Sequence, residues 1–126
     1  MKISLRKIFK SFQYSFHGLK IHSQQHNFMG MLISALFVIL LGFILNISYF
    51  EWLILILIMS LVLSLETLNT SLEKTLDYLE PRFSDKIRML KDLMAGGVAI
   101  VIFTSIIIGL MIFLPKIIIL AKLYIK

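Results

Sequence analysis

The chain has no cysteine, which excludes a disulfide framework and thiol chemistry. Acidic residues are few: seven Asp and Glu stand against thirteen Lys and Arg among 126 residues, for a formal net charge of +6. Proline occurs twice, and only Pro81 separates two hydrophobic stretches. Neither G-x-x-x-x-G-K-[ST], G-x-G-x-x-G nor H-R-D is found, so no soluble nucleotide-binding or kinase domain is expected. There is no internal repeat, linker or low-complexity tract, and nothing suggests the inverted repeats or broken helices of a transporter. Charge itself is missing from three long windows. Residues 27–50 and 93–115 carry none, and residues 52–72 carry one, Glu66.

What fills those windows is hydrocarbon. With 59% apolar residues, 16% charged residues and a mean hydropathy of +0.92, the chain lacks the polar surface to cover a soluble domain of its size. Each window is long enough to cross about 30 Å of hydrocarbon as a helix. A backbone in lipid must satisfy its own hydrogen bonds, so three helices are expected, spanning about 28–48, 51–73 and 90–114 in one domain covering residues 1–126. The first 22 residues are too charged for a signal-peptide core, and the first span is expected to serve as its own insertion signal.

The basic residues divide as five before the first span, none between the first two, five between the second and third, and three at the C-terminal end. The positive-inside rule then places the N-terminus and the 74–92 loop in the cytoplasm and the C-terminus outside. The positive charge reads as membrane electrostatics. Nucleic-acid binding is not expected, since no basic soluble face with stacking aromatics is offered.

Residues 2–22 contain no acid. At helical spacing, Lys2, Arg6, Lys10, Gln13, His17 and Lys20 share one sector, and Leu5, Ile8, Phe9, Phe12, Phe16 and Leu19 share a roughly opposite one. Residues 2–24 are therefore expected to form an amphipathic helix lying in the interface, its basic stripe meeting anionic head groups. A third sector, Lys7, Ser11, Tyr14 and Gly18, is available to the bundle or to a ligand.

The second span poses the sharper question. After the apolar run "WLILILIMSLVLS" comes "LETLNTSLEKTLD". Glu66, Asn69, Glu73 and Asp77 recur at spacings of 3, 4 and 4, which puts them on one helical face, with Leu65, Leu68, Leu72 and Leu76 on another. An ionisable side chain at membrane depth costs a few kcal/mol, so Glu66 is expected to face inward and to be functional. The alternative is a simple ion pair with a neighbouring helix. Residues 73–92 carry five acids and five bases, and Lys91 and Asp92 close that segment just before Ala95, Gly96 and Gly97. The small residues suit close helix packing. Carboxylates beside a lysine suit a phosphate with Mg²⁺, because the ion takes hard oxygen ligands and the lysine neutralises phosphoryl charge.

These blocks resemble a known family. "ETLNTSLEKTLD" is similar to the E-x-x-N-[ST]-x-[IL]-E-x-x-x-D signature of the prokaryotic diacylglycerol kinase family, which includes undecaprenol kinase. "LKDLMAGGV" resembles its A-K-D-x-x-[AS]-[AG]-A-V block, "KIFKSFQYSFHGLK" its N-terminal block, and Asn27 and Phe28 the start of its first span. The resemblance runs from about residue 5 to residue 115. It implies an all-α integral-membrane homotrimer of the bacterial inner membrane, with a surface helix, three spans and cytoplasmic active sites shared between subunits. It further implies transfer of the γ-phosphate of MgATP to a lipid hydroxyl. By motif, Glu66 would be the general base, supported by Asn69, and Glu73 a metal ligand. Asp77, Lys91 and Asp92 would hold ATP, with Lys7, Tyr14, Arg82, Phe83 and Ser84 beside it. Lys7, Glu66 and Ala95 would meet the lipid.

Three positions depart from the family pattern. Gln25 stands where a second metal-binding glutamate is usual, Ser84 where histidine is, and Lys7 where arginine is common. A glutamine offers a carbonyl oxygen without charge, which would weaken both metal binding at Gln25 and its part in the ATP site. Ala95 is closer to the undecaprenol branch than to the diacylglycerol branch, which often has serine there. Undecaprenol is thus the favoured acceptor and diacylglycerol the alternative. A weakly active or non-catalytic membrane assembly is a further alternative, which the registered stripe of Glu66, Asn69, Glu73 and Lys91 speaks against.

Overall fold

The computed structural model describes residues 4–24, 26–82 and 84–124, and all regular structure within them is helical. Helix α1 spans Leu5–His22, α2 His26–Ile44, α3 Tyr49–Leu79 and α4 Asp85–Tyr124. The last three are long and apolar enough to cross a membrane. The fold is thus the expected one: an amphipathic N-terminal helix followed by three candidate spans. The chain is a multi-pass membrane protein.

The α2–α3 turn shows how the sequence closes a hairpin in lipid. Asn46 takes a positive φ of 47°, a conformation that asparagine tolerates better than most residues. The Ile47 amide then donates to the Gly42 carbonyl at 3.2 Å and the Asn46 amide to the Phe43 carbonyl at 3.3 Å, which satisfies two end carbonyls of α2. Ser48 opens α3 with a capping box: its amide donates to Glu51 Oε2 at 2.6 Å, and the Glu51 amide donates to Ser48 Oγ at 3.4 Å. Lys116 Nζ lies 3.1 Å from the same Glu51 oxygen and ties α4 to this end of the bundle.

The buried core sits here, built by Ile47, Leu55, Ile58, Ile112 and Phe113, with Trp52 packed against it. A Cβ on Gly42 would lie 2.8 Å from the Trp52 ring and 3.1 Å from Ile47 Cδ1, so only glycine admits the indole. Along the spans, hydroxyls turn back onto their own helices. Ser34 donates to the Gly30 carbonyl, Thr67 to Leu63 and Thr104 to Ile100, so these hydroxyls are satisfied without a partner helix.

At the opposite end the helices outrun the bilayer. Thirty-one residues make α3 about 46 Å long, against about 30 Å of hydrocarbon. Its last three turns therefore project beyond the lipid, and α4 begins beside them. Glu80, held extended before Pro81, stops α3. The Arg88 amide donates to the Ser84 carbonyl at 3.0 Å as α4 starts.

Candidate active site

The polar stripe lies where α3 leaves the hydrocarbon. Glu66 and Asn69 are buried, at 5% and 7% exposure, Glu73 is half-buried, and the Asp77 side chain is 63% exposed. The four residues thus grade from occluded to wet along three turns. Asn69 Nδ2 donates to Glu73 Oε1 at 3.3 Å, while the buried Asn69 Oδ1 has no hydrogen-bond partner among the described residues. A buried amide oxygen left unpaired costs about 1–3 kcal/mol, so the site holds an acceptor awaiting a donor or a cation.

Beyond the stripe, the α3–α4 turn borders an open recess of about 340 Å³. Asp77, Arg82, Ser84, Lys91 and Asp92 line it. Residues scattered over sixteen positions are gathered because Pro81 reverses the chain and sets the first turns of α4 against the last turns of α3. Lys91 Nζ forms an ion pair with Asp77, and Arg88 Nε lies 4.0 Å from Asp92 Oδ2. Arg88 and Glu80 also line the recess, although the sequence reading passed over them. A signal was there for Arg88, which precedes Asp92 by four residues and so shares its helical face. Three acids, Asp77, Glu80 and Asp92, face three bases, Arg82, Arg88 and Lys91.

Other expected site residues lie elsewhere. Ala95 is exposed one turn beyond Lys91 on α4. Lys7 and Tyr14 are exposed on α1, and neither lines the recess within one chain. Gln25 and Phe83 lie outside the described residues.

His22, the last residue of α1, was not anticipated. It is 5% exposed, its ring centroid lies 4.0 Å from that of Phe28, and its buried Nε2 has no partner among the described residues. Burial lowers its pKa, the Glu66 carboxylate draws it part of the way back, and Lys74 lowers it again. The imidazole therefore shares the electrostatic environment of the stripe and is held toward its neutral form. One signal for it existed: His22 follows Gly18 by four residues and continues the sector of Lys7, Ser11 and Tyr14.

Below the site, a largely apolar recess of about 600 Å³ runs between α2, α3 and α4. Met31 and Leu63 line it, each about one turn from Phe28 and Glu66 respectively, and so do Leu55 and Phe113 toward the far end.

No group of three or more His, Asp or Glu side chains is placed to hold a metal ion among the described residues. The donors present still fit Mg²⁺. That ion commonly takes one or two carboxylates and completes its shell with water and substrate phosphates, and Glu73 beside the unpartnered Asn69 Oδ1 supplies hard oxygens of this kind.

The profile of one family, described as prokaryotic diacylglycerol kinase, matches residues 13–113. The undecaprenol kinase of Bacillus subtilis strain 168 is 36% identical over 113 residues, covering 89% of this chain and 92% of its own length. A diacylglycerol kinase of Helicobacter pylori strain 26695 is 33% identical over 106 residues, covering 82% and 83% of the two chains. Its counterpart in strain J99 is 33% identical over 93 residues, 73% of each. No solved structure matches. With a carboxylate stripe on α3 that runs from buried Glu66 to exposed Asp77 at the edge of a charged recess between α3 and α4, and with these relatives, the chain belongs to the prokaryotic diacylglycerol kinase family and is an ATP-dependent lipid kinase.

Proposed function

We propose that this lipid kinase transfers the γ-phosphate of MgATP to undecaprenol at the cytoplasmic face of the bacterial inner membrane. The observation that supports the acceptor is the relative named undecaprenol kinase, which is 36% identical over nearly its whole length, against 33% for the two named diacylglycerol kinase. Ala95 agrees in direction. It offers no hydroxyl to the ester groups of a glycerolipid, whereas an isoprenyl alcohol has only its own hydroxyl to recognise. Diacylglycerol is the second candidate.

The mechanism rests on the burial gradient of the stripe. Glu66 is the general base, because it is occluded at the depth where a lipid hydroxyl arrives. It takes the hydroxyl proton as the oxygen attacks the γ-phosphorus and the bond to the β-phosphate oxygen breaks. A well-placed base of this kind contributes roughly 10²- to 10⁴-fold in rate. Asn69 braces Glu73 by their hydrogen bond. Glu73 and Asn69 Oδ1 would hold Mg²⁺, which would neutralise phosphoryl charge. Lys91, Arg82 and Arg88 receive the phosphates, with Lys91 exchanging Asp77 for phosphate oxygens. Asp77, Asp92 and Ser84 hold the remainder of the nucleotide, together with Gln25 and Phe83. Lys7 and Tyr14 complete a site shared between the subunits of a homotrimer. Their exposure on α1, away from the recess of their own chain, is what favours sharing.

The test is transfer of label from [γ-³²P]ATP by purified protein in bilayers containing either lipid, with Mg²⁺. Faster labelling of undecaprenol is expected. Equal or faster labelling of diacylglycerol would reverse the acceptor assignment.

A further inference from the structure

Three polar side chains are buried among the described residues: His22 at the end of α1, and Glu66 and Asn69 on α3. The reading above gives work to two of them and none to His22. Yet His22 carries a feature that a packing residue has no need of. Its ring packs against Phe28 at an interplanar angle of 50°, and its Nε2 ends in a buried position with no partner among the described residues. An apolar ring would fill the same space without the penalty of about 1–3 kcal/mol for an unpaired buried polar atom. Glu66 is close enough to act on its charge. Among the described residues His22 Nε2 has no partner, and it lies within the electrostatic reach of Glu66, which leaves both groups for a polar group brought from outside the chain.

A lipid hydroxyl is such a group. Its oxygen donates one proton and accepts through two lone pairs. If the proton goes to Glu66, one lone pair is free to attack phosphorus and the other needs a donor. Neutral imidazole supplies one N–H and can present it at Nε2.

We infer that His22 is a substrate-contacting residue, whose Nε2–H donates to the oxygen of the acceptor hydroxyl while Glu66 accepts its proton. His22 itself neither gains nor loses a proton. It fixes the rotation of the hydroxyl about its C–O bond, so that the remaining lone pair points out of the apolar recess toward the nucleotide. The inference rests on Glu66 as the base. It concerns the acceptor hydroxyl common to both lipids and is independent of which lipid is used.

The experiment measures acceptor and ATP saturation of the purified full-length protein in bilayers, with undecaprenol and diacylglycerol each as the varied lipid. His22→Phe keeps the ring and removes the nitrogen. His22→Gln places an amide N–H near the position of Nε2, while His22→Asn reaches only as far as Nδ1. A hydrogen bond of ordinary strength predicts that His22→Phe and His22→Asn raise the acceptor KM about 3- to 10-fold, with the ATP KM unchanged, and that His22→Gln restores most of it. The Asn and Gln pair decides the matter even where His22→Phe does not fold. Equal behaviour of Asn and Gln, or acceptor and ATP KM rising together, overturns the inference and leaves His22 a packing residue. Glu66→Gln measured in parallel separates the two assignments. Retained activity there overturns the base, whereas a normal acceptor KM in His22→Asn overturns only the role of His22.

Discussion

The two ends of the α3–α4 pair are built on opposite principles. At the α2–α3 turn every device serves closure: a left-handed Asn46, a reciprocal Ser48–Glu51 cap, an ion pair to Lys116, and an indole seated on Gly42. At the other end the side chains are left incomplete. Asn69 Oδ1 and His22 Nε2 are buried with no partner among the described residues, and the lining of the recess is charged and largely exposed. The first end is held by its own contacts. The second is arranged for contacts that substrates supply. Stability and chemistry are thus separated by about the thickness of a bilayer along the same two helices.

Substitutions at each end should therefore fail in different ways. Glu66→Gln should have the largest effect, a loss of phosphoryl transfer of roughly 10²- to 10⁴-fold with an unchanged or slightly raised melting temperature. Its rate at saturating ATP and lipid, beside a thermal melt in detergent, checks both halves, and a collapse of the melt would blur the division between the ends. Lys91→Ala should come next, raising the ATP KM about 10- to 100-fold, as loss of a charge-assisted hydrogen bond to phosphate does, with the acceptor KM unmoved. At the closed end, Gly42→Ala must displace Trp52 or Ile47. It should cost about 1–3 kcal/mol of stability, while activity per folded molecule stays at the parent value. Lost activity without lost stability in Gly42→Ala would break the comparison. Smallest of all, Gln25→Glu should lower the Mg²⁺ concentration needed for half-maximal turnover. An unaltered metal dependence would remove residue 25 from the metal site.

Hydropathy alone indicated the three spans, because uncharged windows of that length have one economical solution in lipid. The spacing of Glu66, Asn69, Glu73 and Asp77 likewise gave the polar face of α3 before any coordinates. What hydropathy does not register is how far a helix continues once it leaves the hydrocarbon. The α3 helix runs to Leu79, and α4 starts at Asp85, because the two projecting segments pack on each other and share the Asp77–Lys91 pair. The gathering of Arg82, Arg88 and Glu80 into one recess follows from that reversal, and locally only the spacing of Arg88 and Asp92 points to it. His22 was hidden for a related reason. Its burial comes with packing against Phe28, a contact that the sector it shares with Lys7, Ser11, Tyr14 and Gly18 does not by itself specify.

The α2–α3 turn also bears on how the chain enters the membrane. Between Asn27 and Glu66 the only formal charge is Glu51. The loop backbone is satisfied by bonds drawn from within seven residues of itself, and Ser48 and Glu51 bond each other across three. Such a hairpin is self-contained before α4 exists. In the orientation proposed here it crosses the bilayer with a single carboxylate to desolvate, and the partner of that carboxylate, Lys116, reaches the far face only when the last helix is threaded. The lysine then acts as a latch on the hairpin, joining the first part of the bundle to form with the last part to arrive.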